Sequence, residues 1–299
     1  MTRGSRTVNI LARSGEVDVE DQTWRASCSA ARDMAAARDM AAHDWDRVVD
    51  DYFGEIVSPL RGGIPRPLAR ALARIPHAKR KTVGDLGCGI GTLLPALAAR
   101  FGHVLAIDFS PGMLARARAA CDARHVRLHR ADLADLGRFR ATLDVAVTVT
   151  AFLSPDPEKL GRMFASLHGA LKPGGVLLGI FPAMEPVVYQ GLLIHDRERR
   201  RSRHPRRART RADRILERDK FDFVHGTYRA DDGGAQKFFY AFELTYRLRQ
   251  VGFRRIRLGR VCYAWDDVGG YERFPGEPPM WDWFVRAEAG QPRSARRRS

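Results

Sequence analysis

Lys81-Thr82-Val83-Gly84-Asp85-Leu86-Gly87-Cys88-Gly89-Ile90-Gly91-Thr92 is the stretch whose reading decides the fold. Val83 to Leu86 have the length and composition of a short buried strand. Gly87, Gly89 and Gly91 alternate behind it, and an apolar-periodic segment, Leu93 to Phe101, reads as a helix. Strand, glycine turn and helix in that order let the backbone bend sharply and leave bare peptide groups against which a ligand can lie. The first N–H groups of such a helix lack partners within it and carry partial positive charge toward whatever is bound.

The spacing separates this loop from the dinucleotide fingerprint Gly-x-Gly-x-x-Gly: the third glycine comes one position early, and Thr92 stands where it would be. Asp85 adds a carboxylate just before the loop, which suits a ligand bearing an ammonium or sulfonium charge better than one bearing a pyrophosphate. A second strand, His103 to Asp108, ends in an acid about 20 residues further on, where a carboxylate can accept from both hydroxyls of a ribose. A third, Val126 to His129, is followed by Ala131-Asp132-Leu133. Acids thus stand at three successive strand ends.

Asp85-Leu86-Gly87-Cys88-Gly89-Ile90-Gly91, with Asp108-Phe109-Ser110-Pro111-Gly112-Met113 and Ala131-Asp132-Leu133, resembles the motifs of the class I S-adenosylmethionine-dependent methyltransferases. The likeness runs well through about residues 43–182 and loosely through 236–288. It implies an α/β fold: a doubly wound, seven-stranded, mostly parallel sheet with an antiparallel last strand, an N-terminal helical cap and an α/β insertion after strand five. It also implies S-adenosyl-L-methionine as cofactor, held by Asp85, Gly87, Cys88, Gly89, Gly91, Asp108, Phe109, Met113, Asp132, Leu133, Thr148 and Thr150. In the family the second acid meets the ribose, positions matching Phe109 and Met113 bracket the adenine, and the acid matching Asp132 accepts from the adenine amino group. Core filling is the competing role for Met113.

The remaining chain divides by composition. Residues 1–40 are polar and without sustained period, as in a disordered segment. Residues 41–80 read as the helical cap, with Trp45, Val48, Val49, Tyr52 and Phe53 on one helical face and a second helix from Leu68 to Ile75. The cofactor-binding core spans 81–182. Its fourth strand is Leu143 to Thr150, Asp156-Pro157 starts a helix, and Lys172-Pro173-Gly174-Gly175 stops that helix before a fifth strand, Val176 to Phe181. Residues 183–240 form the insertion, expected to act as a substrate lid with a basic run. Phe221–Tyr228 and Gln236–Tyr240 read there as strands around Asp231-Asp232-Gly233-Gly234, a hairpin signal. Residues 241–289 return to the core with a helix and two strands, and 290–299 read as a disordered basic tail.

The net charge of +16 is built almost wholly from arginine: lysine occurs only at 79, 81, 159, 172, 220 and 237 among 51 basic residues. Such a ratio, beside abundant alanine, points to GC-rich coding rather than to a partner. The excess is concentrated between residues 196 and 220, where arginines far outnumber Asp196, Glu198, Asp213, Glu217 and Asp219. Cys28, Cys88, Cys121 and Cys262 lack disulfide or metal-site spacing, which fits a reducing cytoplasm. No segment has the apolar length of a membrane span, and no His/Cys/Asp/Glu spacing calls for a metal.

In-line displacement at a sulfonium needs alignment more than covalent help. A small-molecule methyl acceptor under the cap and the insertion is the leading expectation, with Tyr52, Phe152, Tyr189 and Tyr240 as aromatic walls. His195 and Tyr240 are the candidate general bases by position, each with a surface or core role as the competing explanation. Two other functions stand beside it: a methyltransferase of RNA or another polyanion that uses the arginines of 197–218 to hold phosphates, and a cofactor-binding partner protein without catalysis.

Overall fold

The computed structural model describes residues 38–55, 58–231, 233–263 and 273–290. Its centre is a seven-stranded sheet in the order β10-β11-β6-β5-β2-β3-β4. The strands are β2 (Thr82–Leu86), β3 (His103–Asp108), β4 (Val126–Arg130), β5 (Leu143–Val149), β6 (Leu171–Phe181), β10 (Phe253–Tyr263) and β11 (Met280–Ala289). β2 pairs in parallel with both β3 and β5, and β11 runs antiparallel between β6 and β10. The doubly wound sheet with its antiparallel last strand is therefore as the sequence implied.

Helices α4 (Leu94–Arg100), α5 (Pro111–Ala120), α6 (Pro157–Ala170) and α9 (Ala241–Gln250) belong to this core. Alternate residues on the strands feed two apolar layers. Val83, Val104, Val145 and Val147 meet Leu94, Leu97 and Phe101 on one face. Leu86, Ile107 and Ala146 meet Phe164, Leu167 and Leu248 on the other.

Four sequence expectations change. The single amphipathic cap helix is two short ones, α1 (Ala42–Arg47) and α2 (Tyr52–Glu55), followed by α3 (Arg66–Ala73). β-branched Val48 and Val49 and the acids Asp50 and Asp51 sit at the break. Acids are unfavourable at the carboxyl end of α1 and favourable just before the amino end of α2. The fifth strand starts at Leu171 rather than Val176: Leu143 pairs with Leu171 and Val145 with Val176, so Lys172 to Gly175 bulge out of the ladder.

The third change concerns the segment read as disordered through residue 40. Arg38–Asp39 form a strand, β1, that pairs in parallel with Gly234 and Ala235, while residues 1–37, like the tail 291–299, lie outside the described residues.

The insertion begins with α7 (Glu185–Arg201) and α8 (Pro205–Ile215). A small sheet follows, β1-β9-β8-β7, from β7 (Phe221–Asp222), β8 (Thr227–Arg229) and β9 (Gly234–Lys237). A turn at 223–226 divides what the sequence suggested as one strand, 221–228. The ends of the insertion meet where Met184 N donates to Phe239 O (3.0 Å) and Phe239 N to Pro182 O (2.7 Å). Buried Lys237 locks the hairpin: its Nζ donates to His225 O, Phe238 O and Glu243 Oε2, which satisfies all three protons.

Candidate active site

β2 lies where the strand order reverses, between β3 and β5, and open α/β sheets bind ligands at the carboxyl ends of such strands. A cleft opens there, and Gly87, Gly89, Asp108, Phe109, Met113, Asp132, Leu133, Val149 and Thr150 line it from the core.

The glycines divide by role. A Cβ on Gly91 would lie 2.8 Å from Ala117 Cα, so that position serves close approach of α5. A Cβ on Gly89, which has φ of 52°, would meet nothing nearer than Tyr52 Oη at 4.0 Å. Gly89 therefore leaves open space beside the loop, as a ligand cradle requires. Its N–H donates to Asp108 Oδ2 at 2.9 Å, and Ser110 N donates to Asp108 Oδ1 at 3.0 Å. Burial raises the Asp108 pKa, against the opposing pull of the N–H groups of Ser110, Gly89 and Phe109.

Asp85 is 2% exposed, and its Oδ2 has no hydrogen-bond partner. Burial first, and then the charge of Asp108, push its pKa up to about 7. An orphaned carboxylate under a glycine loop fits a cationic group arriving from outside, since a buried acid without a partner is costly. Cys88 is buried beside it, and burial and the two acids raise its thiol pKa. Thr150 adds strain at the end of β5: it is β-branched, yet sits at φ of 47°.

The outer wall includes residues that the sequence did not single out. Lys159 Nζ donates to Asp39 Oδ2 at 2.7 Å and lies 3.6 Å from Asp132 Oδ2, and Ser154 Oγ donates to the same Asp39 oxygen. Burial works against the Lys159 charge, but the hydrogen bond and attraction of Asp39, with help from Asp132, outweigh it and raise the pKa. Met40, Trp45, Leu153, Met163 and Ala235 complete this wall. One signal was available: Lys159 sits in the first turn of α6, the end where the helix dipole disfavours a cation.

Tyr52 lines the cleft between the glycine loop and the cap. Burial raises its pKa; a hydrogen bond with Ser58 opposes this and the charge of Asp108 adds to it. The free space between these walls is about 90 Å3, room for only a few waters, with Trp45, Tyr52 and the Asp39–Lys159 pair among its walls. A nucleoside-sized ligand must displace part of that wall.

Several expected site residues lie elsewhere. Thr148 is fully buried and donates to Leu86 O at 2.9 Å, a bond inside the sheet. Phe152 is fully buried and packs on Phe164 and Phe181 at ring separations of 5.0 and 5.7 Å, with Phe239 packed against these two, a core cluster rather than a pocket wall. Tyr189 donates to Glu277 and Tyr240 to Phe223 O, and neither ring lines the cleft. His195, half-buried on α7, does not line it either. The spacing of aromatics showed which residues were apolar but not which side of the insertion they faced. Among the described residues no cluster of His, Cys, Asp or Glu could hold a metal ion.

Residues 83–175 match the family described as methyltransferase domain. A trans-aconitate 2-methyltransferase of Methylobacterium radiotolerans is 40% identical over 115 residues, 38% of this chain and 42% of the relative. A carboxy-S-adenosyl-L-methionine synthase of Aeromonas salmonicida is 31% identical over 145 residues, 45% of this chain and 58% of that protein. The matched stretches thus span 42% and 58% of these two relatives, less than two thirds of either. The solved DhpI–SAH complex shares the fold, with a TM-score of 0.53 over 87% of this chain and 98% of that one, at 16% identity. The fold is that of a Rossmann-like α/β domain, with a cleft at the strand ends beside its glycine loop. More narrowly, residues 83–175 carry the likeness to a methyltransferase domain.

Proposed function

We propose that this protein transfers a methyl group from S-adenosyl-L-methionine to a small-molecule acceptor. The observation that carries this is the juxtaposition around one glycine loop of the open Gly89, Asp108 in the strand-end cleft, and Asp85, with its unpartnered Oδ2, on an adjoining pocket. When bound, the cofactor supplies an electrophilic methyl on a sulfonium. Asp85 would meet its ammonium group, Asp108 its ribose hydroxyls, and Asp132 with Leu133 the adenine edge, between Phe109 and Met113. Gly87 and Gly89 would lie against the ligand, while Gly91 and Cys88 set the shape of the loop.

The work of the chain is alignment and exclusion of water. Trp45 and Tyr52 from the cap and Ala235 from β9 cover the cleft. Tyr52, with its raised pKa, stays protonated near neutral pH and can orient an acceptor oxygen or nitrogen as a donor. It replaces His195 and Tyr240 as the side chain nearest the reaction. A cytoplasmic site of action belongs to this proposal, supported by the free thiols Cys88, Cys121 and Cys262.

A relative named for trans-aconitate supports a small acceptor in general. This cleft, however, carries Asp39, Asp108 and Asp132 with Lys159 as its cation among the lining residues, a poor match to a tricarboxylate. Incubation with methyl-labelled cofactor and a cell extract, resolved into metabolite, RNA and protein fractions, tests the proposal. Label in the metabolite fraction, absent with Gly89→Val, is expected. Label confined to RNA would shift the acceptor class, and no transfer to any fraction would favour a non-catalytic cofactor-binding partner.

A further inference from the structure

We propose that the cleft between α7 and α8 is a second ligand site, selective for a compact polyphosphate. It does not depend on the methyl-transfer function. Arg197 and Arg201, one turn apart on α7, face Arg206, Arg207, Arg211 and Arg214 on α8 across a space of about 940 Å3, with Thr210 among them. The floor is Glu198, 2% exposed, which Arg197, Arg201 and Arg211 contact at 3.2, 3.6 and 3.1 Å. One carboxylate thus serves as counter-charge to three guanidiniums and fixes the angle between the helices.

Arg206, Arg207 and Arg214 have no carboxylate partner among the described residues and stand exposed on the same cleft. Their nearest like-charged neighbours are held in place by Glu198, so the repulsion among them is not relieved by the protein itself. A solvated face would spread its arginines around the helix or pair them at i, i+4, as Arg209 does with Asp213. Here two rows converge instead.

Guanidinium forks bind phosphate oxygens in bidentate fashion, and several forks around one concavity select for clustered negative charge. Convergence of the guanidiniums from two helices on one concavity favours a short polyphosphate over an extended nucleic-acid strand, which needs a continuous track along the surface.

Titration of the full-length protein with tripolyphosphate, at low and at roughly physiological salt, tests the proposal. The parent should bind at one site, with affinity that weakens as salt rises. The triple variant Arg206→Gln, Arg207→Gln, Arg214→Gln should lose at least about tenfold. A control that removes equal charge elsewhere, Arg116→Gln, Arg118→Gln, Arg124→Gln, should stay within about twofold of the parent, since exposed distant charges are screened. S-adenosylmethionine affinity should be unchanged in both variants, which separates this site from the strand-end cleft. Equal loss in the control would reduce the effect to net charge and overturn the proposal. So would tighter binding of a tricarboxylate than of tripolyphosphate, or tighter binding of a single-stranded RNA with a steeper salt slope.

Discussion

The strand-end cleft and the α7–α8 cleft are opposites in construction. The first is made of backbone and acids: a glycine turn whose amides bond to Ile107 O and Asp108, Asp85 with its Oδ2 unpartnered, and Asp108 held by two amides. The second is made of long cationic side chains around one buried carboxylate. In the first, the loop and its acids are set within a few residues of a strand end, and only the outer wall of Asp39, Lys159 and the cap depends on distant packing. In the second, position depends on how two helices pack. We propose a cationic, nucleoside-bearing cofactor for the acidic cleft and a multiply charged anion for the basic one.

The sharpest way to break this contrast is at Gly89. Gly89→Val should abolish measurable S-adenosylmethionine binding, because its side chain fills the open space and the left-handed φ disfavours a β-branched residue. Tripolyphosphate binding at α7–α8 should survive. Calorimetry with both ligands on the one variant gives the answer, and loss of both would mean that the substitution unfolds the domain. Next in size is Asp108→Ala, which should weaken the cofactor by about 1–3 kcal/mol by leaving ribose hydroxyls without a charged acceptor.

Asp85 makes the contrast depend on pH. Its folded pKa of about 7 lies above the unfolded value near 3.9. Its contribution to stability is therefore complete below about pH 4 and is lost as pH rises through 7. The cofactor ammonium requires the ionised form, so affinity should climb with pH by up to about tenfold per unit toward pH 7 and then level. Asp85→Asn should flatten that climb. A parent with no such slope would mean that Asp85 does not meet the cation.

Smaller effects are expected at the rim. Thr150→Gly should raise stability by about 1 kcal/mol through relief of its positive φ, as thermal melting would record. Asp39→Asn should speed cofactor association a few-fold by loosening the Lys159 clamp, visible in stopped-flow binding. An unchanged rate would show that the wall opens elsewhere.

Legibility in the sequence followed the same division. Gly87, Gly89, Asp85, Asp108 and Asp132 could be placed because each motif lies at a strand end and needs no knowledge of distant packing. The antiparallel last strand was equally accessible, through the family likeness. Phe152 and Thr148 were misplaced because adjacent residues on an extended chain point to opposite faces, and a slip of one position exchanges pocket for core. Asp39 and Lys159 went unseen for another reason: their contact spans some 120 residues and depends on the insertion sheet to hold β1 in place. The arginine run was visible as charge, but its fold into two facing rows depends on Glu198, whose burial no local pattern announced.

The most direct test of the central claim is a crystal structure of the protein with S-adenosylhomocysteine. The account predicts the ribose hydroxyls on Asp108, the amino group beside Asp85, and the ligand backbone passing over Gly89. A nucleoside seated away from the glycine loop, or bound with Asp85 and Asp108 both untouched, would contradict it.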